Sequence, residues 1–370
     1  MTENTVNRCS RCILPDTYPG ITFDQEGVCN YCRTYEKEGY EGKEKLHSLL
    51  DSLRNGKEKY DCVVGVSGGR DSTFALYYLV RVCGLRVIAY TVDNGFVAEA
   101  AKENIRKIVK SLNLELVIEP HDLLKNSIGP NISTWLRRPS PGMVQMMCCG
   151  CRLGMFRGLL RFAKKNNIPL VVLGAGSAIE RCRFKVEFLA RNRWGSMKWI
   201  RNHRGLSLLF GLLYEMFRNP RYFLNPARAV MFVKEYLYFF GYETMQKLFY
   251  PKQRLVFLFR YIKWDPEQII ATIKKELNWE RPADSRAAWR FDCHISVLKT
   301  YLLRKMVGFG EEEEILSNMI RESLVSRSAA LERVQSKTVL PEQVLTELLD
   351  SFGLDSADRA RIDALSPPAA

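Results

Sequence analysis

Residues 60–80 read "YDCVVGVSGGRDSTFALYYLV". Asp61 to Val66 is a short apolar run of strand length. From Thr73 the apolar residues Phe74, Ala75, Tyr77, Tyr78 and Val80 recur at helical spacing. The glycines Gly68 and Gly69 therefore fall at a strand-to-helix junction. Backbone N–H groups and the helix dipole make such a junction a seat for phosphate. An ordinary tight βα turn is the alternative. Two adjacent glycines framed by Ser67, Arg70, Asp71 and Ser72 favour the phosphate seat. The stretch is not a Walker A loop, because it lacks the longer Gly-x4-Gly-Lys-Ser/Thr frame.

Outward from this stretch, residues 60–190 alternate strand-like and helix-like pieces. Candidate strands are Cys62–Val66, Arg86–Val92, Glu115–Ile118 and Leu170–Leu173. Amphipathic stretches at Ala98–Leu112 and Gly154–Lys165 lie between them. This pattern predicts an α/β fold with a parallel sheet and helices on both faces. Four regions are expected: a Cys-rich unit over 1–34, the α/β domain over 35–190, a basic, aromatic-rich helical middle over 191–263 and a helical region over 264–370. Pro266–Leu277 and Glu311–Ser323 read as helices. The run "EEEE" at 311–314 suits a helix first turn and is expected to be solvated surface.

The chain has 370 residues and a formal net charge of +14, which favours polyanionic partners without choosing among them. Its N-terminus lacks the charged-then-apolar layout of a signal peptide, and no apolar run is long enough to span a bilayer. With eleven cysteines, this points to metal or redox chemistry in a reducing compartment rather than a disulfide framework. The expected location is the cytoplasm, with peripheral contact at the inner membrane face open.

"CSRC" supplies Cys9 and Cys12, and "CNYC" supplies Cys29 and Cys32. Two Cys-x-x-Cys pairs on turns suit tetrahedral Zn²⁺; a rubredoxin-like iron or an iron–sulfur cluster could use the same ligands. Four protein ligands leave no open position, so a structural site is expected. "MMCCGCRLGM" adds Cys148, Cys149 and Cys151, open to a second metal or cluster, a sulfur relay, or a small-residue turn. Cys182 or Cys293 could supply a further ligand. Cys62 and Cys83 read as core. The middle region interleaves Trp194, Trp199, Arg201, Arg204, Arg218, Arg221 and Arg228 with Phe and Tyr. It fits a helical subdomain with a charged face, an interfacial helix over 191–250 on an anionic membrane or, less well, a nucleic-acid surface. Arg290, Asp292, Cys293 and His294 form a charged cluster before a helix.

"SGGRDS" resembles the Ser-Gly-Gly-x-Asp-Ser signature of the PP-loop ATP pyrophosphatases. The resemblance implies that Ser67, Gly68, Gly69, Arg70, Asp71 and Ser72 hold the phosphates of ATP. It gives Arg70 and Asp71 catalytic roles and places Asp93 and Gly174 along the nucleotide. Arg70 stands where many members carry Lys. With "CSRCILPDTYPGITFDQEGVCNYCR", "YIKWDPEQIIATIKKELNW", "LSNMIRES" and "SRSAALERV", the chain is similar to the N-acetyl sugar amidotransferases of bacterial surface-polysaccharide synthesis. That resemblance implies adenylation of a sugar acetamido oxygen and replacement of that oxygen by ammonia nitrogen. It also implies Mg²⁺ near Asp71 or Asp93, an anionic or nucleotide-linked sugar, and a separate glutaminase subunit. The dense cysteines at 148–151 keep ATP-dependent sulfur transfer open, and a scaffold without turnover is the third reading.

Overall fold

The computed structural model describes residues 7–190 (Glu38, Asn55, Lys57 and Cys149 aside), 204–224, 242–281, 292–335 and 342–366, with Val230 and Lys234 as isolated residues. Five parallel strands form one sheet: β1 (Cys62–Gly65), β2 (Val87–Asp93), β3 (Glu115–Pro120), β4 (Leu170–Leu173) and β5 (Arg254–Phe257), in the order β3-β2-β1-β4-β5. The helices used below are α1 (Arg70–Tyr77), α2 (Glu99–Ser111), α3 (Cys151–Lys165), α4 (Arg204–Arg218), α5 (Pro266–Leu277), α6 (His294–Val307) and α7 (Glu311–Arg321).

β1 and β4 are short and buried along their whole length, as central parallel strands must be when both faces are covered. In register, Val63 stands beside Ile88 and Val171, and Val64 beside Ala89 and Val172. Strand alternation sends the first set to one face, where it packs with Leu159 and Leu160 of α3. The second set packs on the other face with Leu76 of α1, Ile105 of α2, Ile273 of α5 and Trp264. Strand order reverses between β1 and β4. This is the topological switch point, outside whose strand carboxyl ends open α/β sheets bind ligands.

The expected α/β class is observed: a five-stranded parallel sheet, a four-Cys unit before it and helices after it. Two features differ from the sequence reading. Arg254–Phe257, read with the helical middle, is the fifth strand and pairs with β4. The glutamates of α7 do occupy a helix first turn, but Glu312, Glu313 and Glu314 are buried, not solvated. Glu314 accepts the backbone N–H groups of Arg183 (2.7 Å) and Phe184 (3.2 Å). Glu313 accepts the Gly310 N–H at 2.8 Å and lies 3.4 Å from Arg304. Buried carboxylates persist because each of these finds donors.

α5 has sharply coded ends. Asp265 accepts the N–H groups of Glu267 and Gln268, both at 3.1 Å, and Pro266 opens the first turn. Asn278 closes the helix in the left-handed region. This places an indole just outside each end, Trp264 and Trp279, on the side facing α1. No helix among the described residues is long and apolar enough to cross a membrane.

Candidate functional site

The loop between β1 and α1 is held from behind. Gly68 adopts φ +77°, and a Cβ there would stand 2.2 Å from the Ala101 carbonyl oxygen of α2. Its own carbonyl accepts Trp279 Nε1–H at 3.0 Å and Asn104 Nδ2–H at 3.4 Å. The Gly69 carbonyl accepts the hydroxyls of Thr73 (2.8 Å) and Ser72 (3.1 Å). Ser72 Oγ in turn accepts the Ser67 N–H at 3.1 Å. These bonds occupy the Gly68 and Gly69 carbonyls, and the Thr73 N–H also donates to the Gly69 carbonyl at 3.1 Å, while the first three amides of an α-helix have no acceptor within it. The start of α1 stands at the β1/β4 switch point, an arrangement suited to an anion.

Arg70 and Asp71 begin α1. Arg70 Nε lies 3.3 Å from Asp71 Oδ2, and its Nη2 lies 3.3 Å from Glu180 Oε1 beyond β4. The guanidinium centre stands 5.0 Å from the Trp264 ring centroid. Trp264 Nε1 donates to Asp71 Oδ1 at 2.9 Å. Gly174, at the end of β4, comes so close that a Cβ would stand 2.2 Å from the Asp71 carbonyl oxygen. Ser67 to Ser72 and Gly174 thus form one constellation.

Asp93 ends β2, where Oδ1 accepts the Gly95 N–H at 2.8 Å. The segment around Cys293 pairs with Val97, through Ala98 N–H to the Asp292 carbonyl (3.2 Å) and His294 N–H to the Phe96 carbonyl (3.0 Å). It brings an Asp292 carboxylate oxygen to 3.7 Å from where a Cβ on Gly69 would stand. Arg290, of the same charged cluster, lies outside the described residues. Trp264, Trp279, Asn104 and Glu180 were not anticipated as site residues. Both tryptophans lie in a block that the sequence singles out for its resemblance, not for contact with the loop.

The four N-terminal cysteines converge. Their sulfurs all lie within 4.8 Å of one another and are buried. Cys12 and Cys29 Sγ are 3.8 Å apart, Cys9 and Cys32 Sγ 4.0 Å. Four thiolates at about 2.3 Å from one ion in a tetrahedron stand about 3.8 Å apart, so the set fits a single Zn²⁺-like ion. A cluster, in which each thiolate takes a different iron, spreads its sulfurs wider. Hydrogen bonds with neighbouring thiols, and then the Arg321 guanidinium, hold Cys12 down to about 6 and Cys32 to about 3. Arg321 donates to Cys32 Sγ at 3.3 Å and to Cys12 Sγ at 3.4 Å. Arg327 Nε donates to the Cys9 and Cys12 carbonyls at 3.2 and 2.9 Å.

Cys148 and Cys151 flank the start of α3, with Cys149 outside the described residues. The buried Lys299 Nζ lies 3.3 Å from Cys148 Sγ and from Gln145 Oε1. Burial opposes the ammonium, yet the charge of the Cys148 sulfur, then that of Glu311, holds Lys299 above its ordinary value. Asn94, next to Asp93, donates to Cys151 Sγ at 3.5 Å, and burial pushes that thiol up to about 12. Cys293 is near enough to interact with both Cys148 and Cys151. Cys182 instead meets the Glu311 carbonyl at 3.7 Å. Among the described residues, only the N-terminal four draw together at the spacing of a single ion.

No family model matches the chain. It is 29% identical over 174 residues to an uncharacterized protein, MJ1599, of Methanocaldococcus jannaschii, covering 45% of this chain and 58% of that one. It is 31% identical over 75 residues to a glutamine-hydrolyzing GMP synthase of Pyrobaculum aerophilum, covering 20% of this chain and 15% of the relative. The chain thus spans little more than half of the first relative and a small part of the second. Among solved structures, it is similar to the U34-tRNA thiolase NcsA of Methanococcus maripaludis with its [4Fe-4S] cluster, at 14% identity and TM-score 0.34 over 95% of this chain and 99% of that one. An NH3-dependent NAD synthetase of Campylobacter jejuni matches at 16% identity and TM-score 0.27, over 58% of this chain and 96% of that one. Superpositions this loose transfer no site residue.

Proposed function

We propose, from the PP-loop-like fold, that the chain is an ATP-dependent enzyme that adenylates a sugar acetamido oxygen and installs nitrogen in its place. The observation that carries this reading is the meeting of the resembling blocks in space. "YIKWDPEQIIATIKKELNW" sends Trp264 and Trp279 onto "SGGRDS". "LSNMIRES" and "SRSAALERV" send Arg321 and Arg327 onto the cysteine pairs. Residues of the resembling blocks thus reach both the loop and the cysteine pairs.

In this reading the amides opening α1 and the hydroxyl of Ser67 hold the pyrophosphate portion of ATP. The acetamido oxygen attacks the α-phosphorus, and the bond to pyrophosphate breaks. Ammonia adds to the activated carbon, loses its proton to solvent, and AMP departs with the former amide oxygen. The product is an acetamidino sugar. The chain's contribution is positioning and stabilisation of developing charge. Arg70, braced by Glu180 and Trp264, fixes the α1 start against the β4 loop. Mg²⁺ would neutralise the phosphates, with Asp71, Asp93 and Asp292 as the carboxylates at the crevice. A separate glutaminase subunit would deliver ammonia, and a nucleotide-linked sugar would suit the positive chain.

A second reading, ATP-dependent sulfur transfer, is favoured by one feature: Cys148, Cys151 and Cys293 gather with Lys299 beside the end of β2. Three cysteine sulfurs with an open fourth position suit an iron–sulfur cluster or a persulfide carrier. One experiment separates the readings. The chain is incubated with MgATP, ammonium and a uridine-diphosphate N-acetylhexosamine carrying ¹⁸O in the acetamido group. Amidotransfer predicts AMP bearing the label. Unlabelled AMP, or none, sinks this substrate assignment; turnover only with sulfide, in protein holding iron and acid-labile sulfide, moves the assignment to sulfur transfer.

A further inference from the structure

α4 is apolar on two sides, and the fold covers one of them. Leu208, Leu212 and Met216 are buried, at 2%, 2% and 3% exposure. One residue further round, Leu209, Leu213 and Phe217 face outward, at 40%, 37% and 73%. These three lie at i, i+4 and i+8, a single stripe about 12 Å long. The chain then turns at Asn219, whose side chain anchors to the Thr134 carbonyl at 2.8 Å. The turn extends the stripe with Phe223 at 41% and Leu224 at 79%, and the rings of Phe217 and Phe223 stand 5.7 Å apart.

The exposed charge on residues 204–224 has one sign. Between residues 204 and 224 the sole acidic residue is Glu215. It is buried and lies 3.4 Å from Arg218. The charged side chains shown to be exposed there are Arg218 and Arg221. A second copy packed on this face about a two-fold axis would set these arginines against their own kind, which disfavours self-pairing.

We infer that this face is an interfacial membrane contact, with Leu209, Leu213, Phe217, Phe223 and Leu224 entering the headgroup boundary of an anionic bilayer. Arg218 and Arg221 lie at the level of the lipid phosphates. The face seats a few large apolar side chains just below the headgroups, the depth that amphipathic surface helices reach. The contact is reversible, since the apolar area is small and no helix among the described residues is long and apolar enough to span. This inference stands apart from the nucleotide chemistry.

The test is co-sedimentation of the full chain with vesicles of phosphatidylcholine alone, or with about one-third phosphatidylglycerol, at low and high salt. Binding is expected on the anionic vesicles only, and weaker at high salt. Leu213→Ser with Phe217→Ser is expected to reduce partitioning at least about tenfold. Arg218→Gln and Arg221→Gln are each expected to reduce it about fivefold, on anionic vesicles alone. Circular dichroism and bound metal monitor the fold; all four residues are on the surface. Wild-type chain remaining in the supernatant overturns the inference, as does binding indifferent to the substitutions. A wild-type dimer made monomeric by Leu213→Ser with Phe217→Ser overturns it in favour of self-association.

Discussion

Replacing Arg321 with Met tests how the four-Cys unit is joined to the rest of the chain. One divalent ion with four thiolates carries a net charge of −2 in a buried place. Arg321, itself buried, puts its guanidinium 3.3 and 3.4 Å from two of the sulfurs and donates to Asn318 Oδ1 at 2.7 Å. Hydrogen bonds to charged groups contribute about 1.5–3 kcal/mol each, so two sum to about 3–6 kcal/mol. Removing one partner of a buried charge pair costs about 3–5 kcal/mol, in agreement. Methionine keeps much of the aliphatic stem and loses the guanidinium, whose carbon also stands 5.4 Å from the Tyr35 ring centroid, so the loss is mainly electrostatic. Part of it falls on the metal: losing a hydrogen-bonded group behind the ligands typically weakens affinity about 10–100-fold. The assay is competition for Zn²⁺ with a chromophoric chelator, beside denaturant unfolding of the metal-loaded chain. Arg321→Lys should recover part of the affinity, because it restores charge without the planar fork. Wild-type Zn²⁺ affinity and unchanged unfolding in the Met variant would refute the reasoning.

Two further outcomes follow from the geometry. Trp264→Phe removes the indole donor to Asp71 and leaves a gap at a fully buried position. It should cost about 2–4 kcal/mol and raise the ATP concentration needed for AMP formation, with Zn²⁺ content unchanged; an unaltered ATP dependence would detach Trp264 from the loop's function. Asp61 is buried, which opposes its ionisation, but Arg86 grips it through Nη2 (2.7 Å), Nε (3.2 Å) and backbone N–H (2.8 Å), and its pKa falls below the ordinary 3.8. Because the folded value is the lower one, this stabilisation is complete above the unfolded pKa and fades as pH falls through the folded one. Asp61→Asn should therefore flatten the acid limb of the stability curve, and equal acid sensitivity in both proteins would contradict the pairing.

The parts legible in the sequence were local ones. β1, the Gly68–Gly69 junction and α1 are contiguous, and each obeys its own rule of periodicity or turn chemistry. The two Cys-x-x-Cys pairs were likewise readable, because ligand spacing within a knuckle is local. β5 was not, since Arg254–Phe257 is four residues in an aromatic, basic stretch and acquires strand character by pairing with β4. The glutamates opening α7 read as a helix start, which they are, and as solvated surface, which Glu312, Glu313 and Glu314 are not. The donors to Glu314, Arg183 and Phe184, are 131 and 130 residues away, and nothing beside it in sequence announces its burial. The same holds for Trp264 with Asp71, 193 residues apart, and for Lys299 with Cys148, 151 apart. Side chains that complete a site from a distance leave no periodic mark.

The sequence distance between Cys32 and Arg321 is 289 residues. At about 5–20 residues per second, a ribosome makes the cysteines roughly 15–60 s before it makes the arginine that shields them. During that interval the newborn thiols stand without their guanidinium, open to oxidants and to any soft metal within reach. Metal capture during synthesis would protect them, and the late arrival of α7 would then lock in whichever ion came first. Which metal the site takes would then depend partly on supply at the ribosome, and expression in zinc-poor, iron-rich medium is a way to see that history in the finished molecule.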